Sequence, residues 1–167
     1  KIMTATAIAP DGSTSEFSAV YTMSASPGAG FPSTAIAYKG QTSPIGSSYN
    51  LFGPGQVPNT SGEVVFWSSL LSGTQGIFRW LSGTTTKYVA TGDAAPGGGT
   101  FTDLTDAPVV NASGDVAFWA ATNAPTEGIY KRASGGAITK LAGVGDAAPG
   151  GSTFLSFDPP SAKGIAV

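Results

Sequence analysis

The sequence contains no cysteine and no histidine. Those two absences exclude zinc sites, thiol nucleophiles and every imidazole-based acid–base mechanism. Charge is scarce as well, at 11% of the 167 residues, against roughly 25% in an average soluble domain. A net charge of −2 leaves no basic face for nucleic acid and no polybasic membrane patch. Long apolar runs are missing: the longest, around Val64–Leu71, is far short of the roughly 20 residues a spanning helix needs. Nor does any segment offer ten residues of helical period with caps, so no helix is expected. The lack of cysteine does not fix a compartment. Low charge with abundant Ser, Thr and Gly suits an extracellular or cell-surface protein better than a cytosolic enzyme. The chain opens on Lys1 without a signal peptide, and is expected to be a processed chain or a fragment.

Against those absences stand 41% apolar residues, enough to bury a core, and a repeat. Gly92-Asp93-Ala94-Ala95-Pro96-Gly97-Gly98-Gly99-Thr100-Phe101 returns 53 residues later as Gly145–Phe154, with Ser152 in place of Gly99. A worn copy lies upstream, where Gly40, Pro44 and Tyr49 keep the spacings of Gly92, Pro96 and Phe101. Asn59-Thr60-Ser61-Gly62-Glu63-Val64-Val65-Phe66-Trp67 returns as Asn111-Ala112-Ser113-Gly114-Asp115-Val116-Ala117-Phe118-Trp119. Recurrence at this period marks a repeat architecture.

Each unit reads as an Asn-x-Ser-Gly turn into a strand (64–69, 116–121), a second strand (76–81, 128–133) and a third (85–91, 137–143). The Gly-Asp-Ala-Ala-Pro loop follows, and a fourth short strand ends near Pro108. The first strand is apolar on both faces and should be covered on both. The second alternates and looks half exposed. The class is all-β: tandem four-stranded units of about 52 residues, the size of a β-propeller blade, in an incomplete array. Residues 1–23 form an N-terminal hairpin with a turn at Pro10-Asp11-Gly12, and 24–32 a Pro/Gly/Ser linker. Residues 33–167 are the repeat domain, with a part repeat at 33–58, repeats from 59 and 111, and a part repeat at 161–167.

The motif Asn111-x-x-Gly114-x-x-Ala117-Phe118, with Asn59-x-x-Gly62-x-x-Val65-Phe66 and the two Gly-Asp-x-x-Pro-Gly loops, resembles the bacterial secreted tandem-repeat family named after its Asn-x-x-Gly-x-x-Ala-Phe signature. The order of elements is also similar to blades of periplasmic propellers. The segment TATAIAPDGSTSEFSAVYTM resembles the closing hairpin of β-domains in large bacterial surface proteins. What the resemblance implies is a secreted or envelope-attached protein with no catalytic residues to carry over.

Side chains with chemistry have bland readings beside the functional ones. Asp93 and Asp146 are calcium candidates, yet one carboxylate per loop is few for the 6–8 oxygens calcium takes. As acceptors of backbone N–H bonds they serve a Pro-Gly turn of type II. Asn59 and Asn111 head formal glycosylation sequons, and an Asx turn explains both without a glycan. Asp11, Ser13, Ser15 and Glu16 echo a calcium loop only loosely. Asp103 and Asp106 are the one carboxylate pair of glycosidase kind; solvated surface is the commoner role. Trp67 and Trp119 occupy matched positions and read as core between units. Trp80, replaced by Arg132 in the second unit, is the candidate exposed platform for a sugar or partner.

The expectation is a non-enzymatic extracellular protein, structural or adhesive, without cofactors and self-assembling into a filament or surface layer. In that picture Lys1–Pro10 is donated to a neighbour's open sheet edge. The alternative is a fragment of a larger propeller that binds glycan or another ligand, and the third reading a carbohydrate-active enzyme.

Overall fold

The computed structural model describes residues 2–3, 21–22, 35–54, 58–104, 107–124 and 126–157. The chain divides into two compact bodies, 1–35 and 36–167. In the first, β1 (Ile2–Met3) pairs antiparallel with β2 (Tyr21–Thr22). The turn at Pro10–Gly12, the loop from Asp11 to Glu16, the linker 24–32 and the part repeat 161–167 lie outside the described residues.

The second body is all-β among its described residues and carries two antiparallel sheets, one per repeat unit. The first runs in the order β3 (Tyr49–Phe52), β4 (Val64–Leu70), β5 (Gln75–Leu81), β6 (Thr84–Ala90), each strand beside its successor. The second places β7 (Phe101–Leu104) and β8 (Val109–Val110) along one side of β9 (Val116–Thr122). Then come β10 (Glu127–Arg132) and β11 (Ile138–Gly143). Both sheets are therefore four-stranded meanders, the second with an interrupted first strand. The strand after the Gly92–Thr100 loop does not close the sheet before it, as the sequence suggests. It opens the next one, with Phe101 opposite Thr122 and Leu104 opposite Ala120. Likewise residues 49–52 of the expected part repeat supply the first strand of the first sheet.

Packing explains that phase. Phe101, Phe118 and Tyr130 form a ring cluster with centroids 6.0, 5.0 and 5.8 Å apart. Tyr49, Phe66 and Phe78 form the same cluster in the first sheet, at 5.8, 5.2 and 5.6 Å. The aromatic residue after each loop belongs with the strands downstream of it. Each such ring contributes roughly 1.5–3 kcal/mol by burial.

Alternation then sends the other face of the first sheet, with Val65, Ile77 and Val89, against Phe101, Phe118, Tyr130 and Val116 of the second. Trp67 packs against this core from its margin. Phe66 at 7% exposure and Phe118 at 1% are buried, as β4 and β9, apolar on both faces, require. The half-exposed second strand holds for β10, whose buried Gly128 and Tyr130 alternate with partly exposed neighbours, but not for the start of β5, where neighbouring Ile77 and Phe78 are both fully buried. Successive residues point to opposite faces, so the first half of β5 is covered on both sides.

The loop that opens each unit closes by a repeated pair of backbone bonds. The N–H groups of Gly40, Gly92 and Gly145 donate to the carbonyls of Tyr49, Phe101 and Phe154, each at 2.8 Å. Those three aromatic residues donate in turn to Gln41, Asp93 and Asp146. Gly98 N–H donates to Ala95 O with Gly97 at φ +97°, the type II turn that Pro96-Gly97 dictates.

Candidate functional site

Polar residues of the first repeat converge on the seam where its sheet meets the next. The Asn59 side-chain oxygen accepts the N–H groups of Ser61 and Glu63, both at 3.0 Å, which builds the Asx turn. Asn111 does the same for Ser113 and Asp115. The Asn59 amide nitrogen, where a glycan would be attached, donates to Glu63 Oε2 at 3.1 Å and to Asn111 O at 3.0 Å. Turn chemistry occupies it fully.

Glu63 is the hub. Its side chain is 3% exposed and meets Arg79 Nε at 2.5 Å. The Tyr88 hydroxyl lies 3.4 Å from Glu63 Oε1 and 3.4 Å from Gly114 O in the turn that opens β9. A buried carboxylate is tolerated only when paired and hydrogen-bonded, and here three side chains supply those partners. Burial pushes the Tyr88 hydroxyl pKa up, with Arg79 opposing and Glu63 adding to the rise. Arg132 of the second sheet lies 4.6 Å from the Tyr88 ring centroid and donates to Tyr88 O. That is a cation–π contact that spans the seam.

The second unit repeats the charges without the burial. Asp115 pairs with Lys131 at 2.7 Å, and hydrogen bonds from Lys131 and the Ser134 N–H hold its carboxyl below the ordinary range. Leu141 stands where Tyr88 does in the first unit, and is exposed. Sequence reasoning missed Glu63 and Arg79. The signal was a pair of opposite charges at matched positions, Glu63 with Arg79 and Asp115 with Lys131, swapped in size but not in sign.

Other sites expected from the sequence disperse. Both Asp93 oxygens meet Lys87 Nζ, at 2.8 and 3.0 Å, and Oδ2 also accepts Ala90 N–H. Asp146 takes Lys140 and Gly143 N–H in the same way. A lysine ammonium on the carboxylate makes each Asp a brace for its own loop. Among the described residues no group of three or more acidic side chains gathers to hold a metal. Asp103 accepts the Leu104 N–H, and Asp106 lies outside the described residues. Trp80 is half-buried against the cluster of Tyr49, Phe66 and Phe78. Among the described residues no helix is long and apolar enough to cross a membrane.

No curated protein and no solved structure matches the chain. A family match covers residues 2–164, nearly the whole sequence. The chain belongs to the family of unknown function DUF7453.

Proposed function

We propose that this protein is a non-enzymatic structural or adhesive repeat protein of extracellular or cell-surface type, built from propeller-blade-like units. The observation that carries this reading is where the shared polar side chains go. Asn59, Glu63, Arg79, Asp93, Asn111 and Asp146 are all spent on turns, loops or the seam between sheets. Four-stranded sheets packed face to face are the building plan of propellers. The Asn-x-x-Gly-x-x-Ala-Phe resemblance supports a secreted location. The self-assembling form of this reading rests on Lys1–Pro10, most of which lies outside the described residues.

Protease shaving of intact source cells tests it. Peptides of this chain should be released without lysis, and a panel of glycoside substrates should show no turnover. Peptides that appear only after lysis, or a hydrolysis that is lost in Asp103→Asn, would overturn the proposal.

A further inference from the structure

Taking the stacked-sheet reading as given, we infer that both outer faces of this sheet pair are docking faces for further units of the same repeat. Those units are continuous with this chain and are not supplied by a second copy.

The inner seam shows what each face receives. Gln75 Oε1 accepts Leu104 N–H at 2.9 Å, which fastens the first strand of the second unit to β5 of the first. Glu127, the counterpart of Gln75, accepts Phe157 N–H at 2.8 Å, and Phe157 stands where Leu104 does. Trp119 Nε1 also donates to Phe157 O at 3.0 Å. Residues 145–157 have thus crossed to the start of a third unit and are tied to the second sheet by the first unit's own device. At the opposite end Ile36 and Ala37 pack against Tyr49, Phe66 and Phe78. They precede Gly40 as Tyr88 and Val89 precede Gly92, and so take the place of the last strand of a preceding unit.

Two openings mark what is left to fill. A cavity of about 110 Å3 is bounded by Asn111, Asp115, Lys131 and Leu141. The matched positions in the first unit are Asn59, Glu63, Arg79 and Tyr88, which Gly114 and Arg132 close from the second sheet. A groove of about 210 Å3 is lined by Ile36, Ala37, Phe52, Val64 and Phe66. On the equivalent face of the second sheet, Val65, Ile77 and Val89 cover Val116 and Phe118. The chemistry each opening takes is therefore that of this repeat: a Gly turn for the first, branched apolar strands for the second.

A second copy stacked in the same register collides twice. Its β3 would fall where residues 154–157 already lie, and its Ile36–Ala37 where β11 lies. Chain continuity avoids both collisions.

The test lengthens the full chain after Val167 by a second copy of the residue 118–143 sequence. Ser161–Val167 matches 111–117, so this completes a third unit in sequence. Because the protein has no cysteine, Leu141→Cys provides a single thiol at a side chain that is 58% exposed. Thiol labelling should slow by about tenfold or more in the lengthened chain. A control thiol at Leu71→Cys, in the β4–β5 turn, should label at an unchanged rate. Gly164→Val, at the position matched to Gly114, should restore fast labelling at residue 141. An added segment that gains no strand signal, or that leaves residue 141 as reactive as before, overturns the inference. So does concentration-dependent protection of residue 141 in the unlengthened chain, which would make a second copy the occupant. Shaving reports location alone, so it can fail while the docking stands.

Discussion

The Asn59 side-chain amide donates to the backbone carbonyl of Asn111, its counterpart 52 residues on, at 3.0 Å. The turn that opens one strand thus holds the turn that opens the matching strand of the next sheet. Asn59 also donates to Glu63, so an acceptor-only side chain at residue 59 loses both bonds. Asn59→Asp should cost at least about 1–2 kcal/mol, the price of leaving such partners unmet. The new carboxylate would also face Glu63, and the repulsion of like charges adds to the loss. Urea denaturation measures the loss. An Asn59→Asp protein as stable as the parent at pH 7 would show that the bond between turns is idle.

Glu63→Ala should be the most damaging single change among the charged residues, at about 3 kcal/mol, because it strands Arg79 beside the seam. Arg79 keeps some access to water, with a side chain 25% exposed, which holds the cost to the lower end of that class. Asp115→Ala removes the matched carboxylate in a more exposed setting and should cost distinctly less. Equal losses in chemical denaturation would contradict a buried hub at Glu63.

Much of this fold was legible in the sequence, and the limits are physical. Both copies of the three long strands follow from Val64–Trp67 and Val116–Trp119, from Gly76–Trp80 and Gly128–Arg132, and from the Ser-Gly and Gly-Gly turns between them. The sheet to which Phe101 belongs was not legible, because a strand flanked by two loops can pair either way. Only the aromatic cluster with Phe118 and Tyr130 decides it. Ile77 and Phe78 were misjudged because alternation implies one wet face, whereas the second sheet covers Ile77 and the ring cluster with Ile36 and Ala37 covers Phe78. The seam was invisible for a related reason: Glu63 and Arg79 lie 16 residues apart and meet only through strand register.

Phe118→Ala should destabilise by about 3–5 kcal/mol, since Phe118 lies between the two sheets at the centre of the shared core. Phe66→Ala should fall in the same range, toward its lower end, because the cavity of about 210 Å3 beside Phe66 lets its surroundings relax. A loss below about 1 kcal/mol at Phe118 would contradict face-to-face stacking, and one at Phe66 would contradict the buried ring cluster on the outer face of the first sheet.

Acid should find the carboxylates of the second unit. Lys140 and the Gly143 N–H hold the Asp146 carboxyl below its ordinary 3.8, and Lys131 with Ser134 does the same for Asp115. A depressed folded-state pKa contributes stability that is fully present above the unfolded value and is lost as pH falls through the folded one. The melting temperature should therefore hold down to about pH 4, near the unfolded carboxyl value, and decline below it. Asp146→Asn should make that decline shallower. A chelator at neutral pH should leave the melting temperature unchanged, because lysine and backbone N–H groups already satisfy Asp93 and Asp146. A fall of several degrees that calcium restores would reassign both side chains as ligands.

Gly62 and Gly114 separate backbone strain from seam packing. Both hold the left-handed backbone of the same turn, with φ of +74° and +80°. A Cβ at Gly62 meets nothing within 4 Å, whereas at Gly114 it would lie 2.8 Å from Glu63 Oε2 and 3.0 Å from Ser134 Oγ. Gly62→Ala should thus cost only the left-handed strain of about 1–2 kcal/mol. Gly114→Ala should add overpacking of about 1–3 kcal/mol, because Glu63 is pinned by Arg79 and Asn59 and has little room to retreat. Truncating that obstacle offers a check within the same pair: in a Glu63→Ala background the excess at Gly114 should shrink toward the Gly62 value. A double-mutant cycle reads the coupling directly. If the two glycines cost the same in the parent protein, or the excess survives without Glu63, the seam is looser than its distances imply.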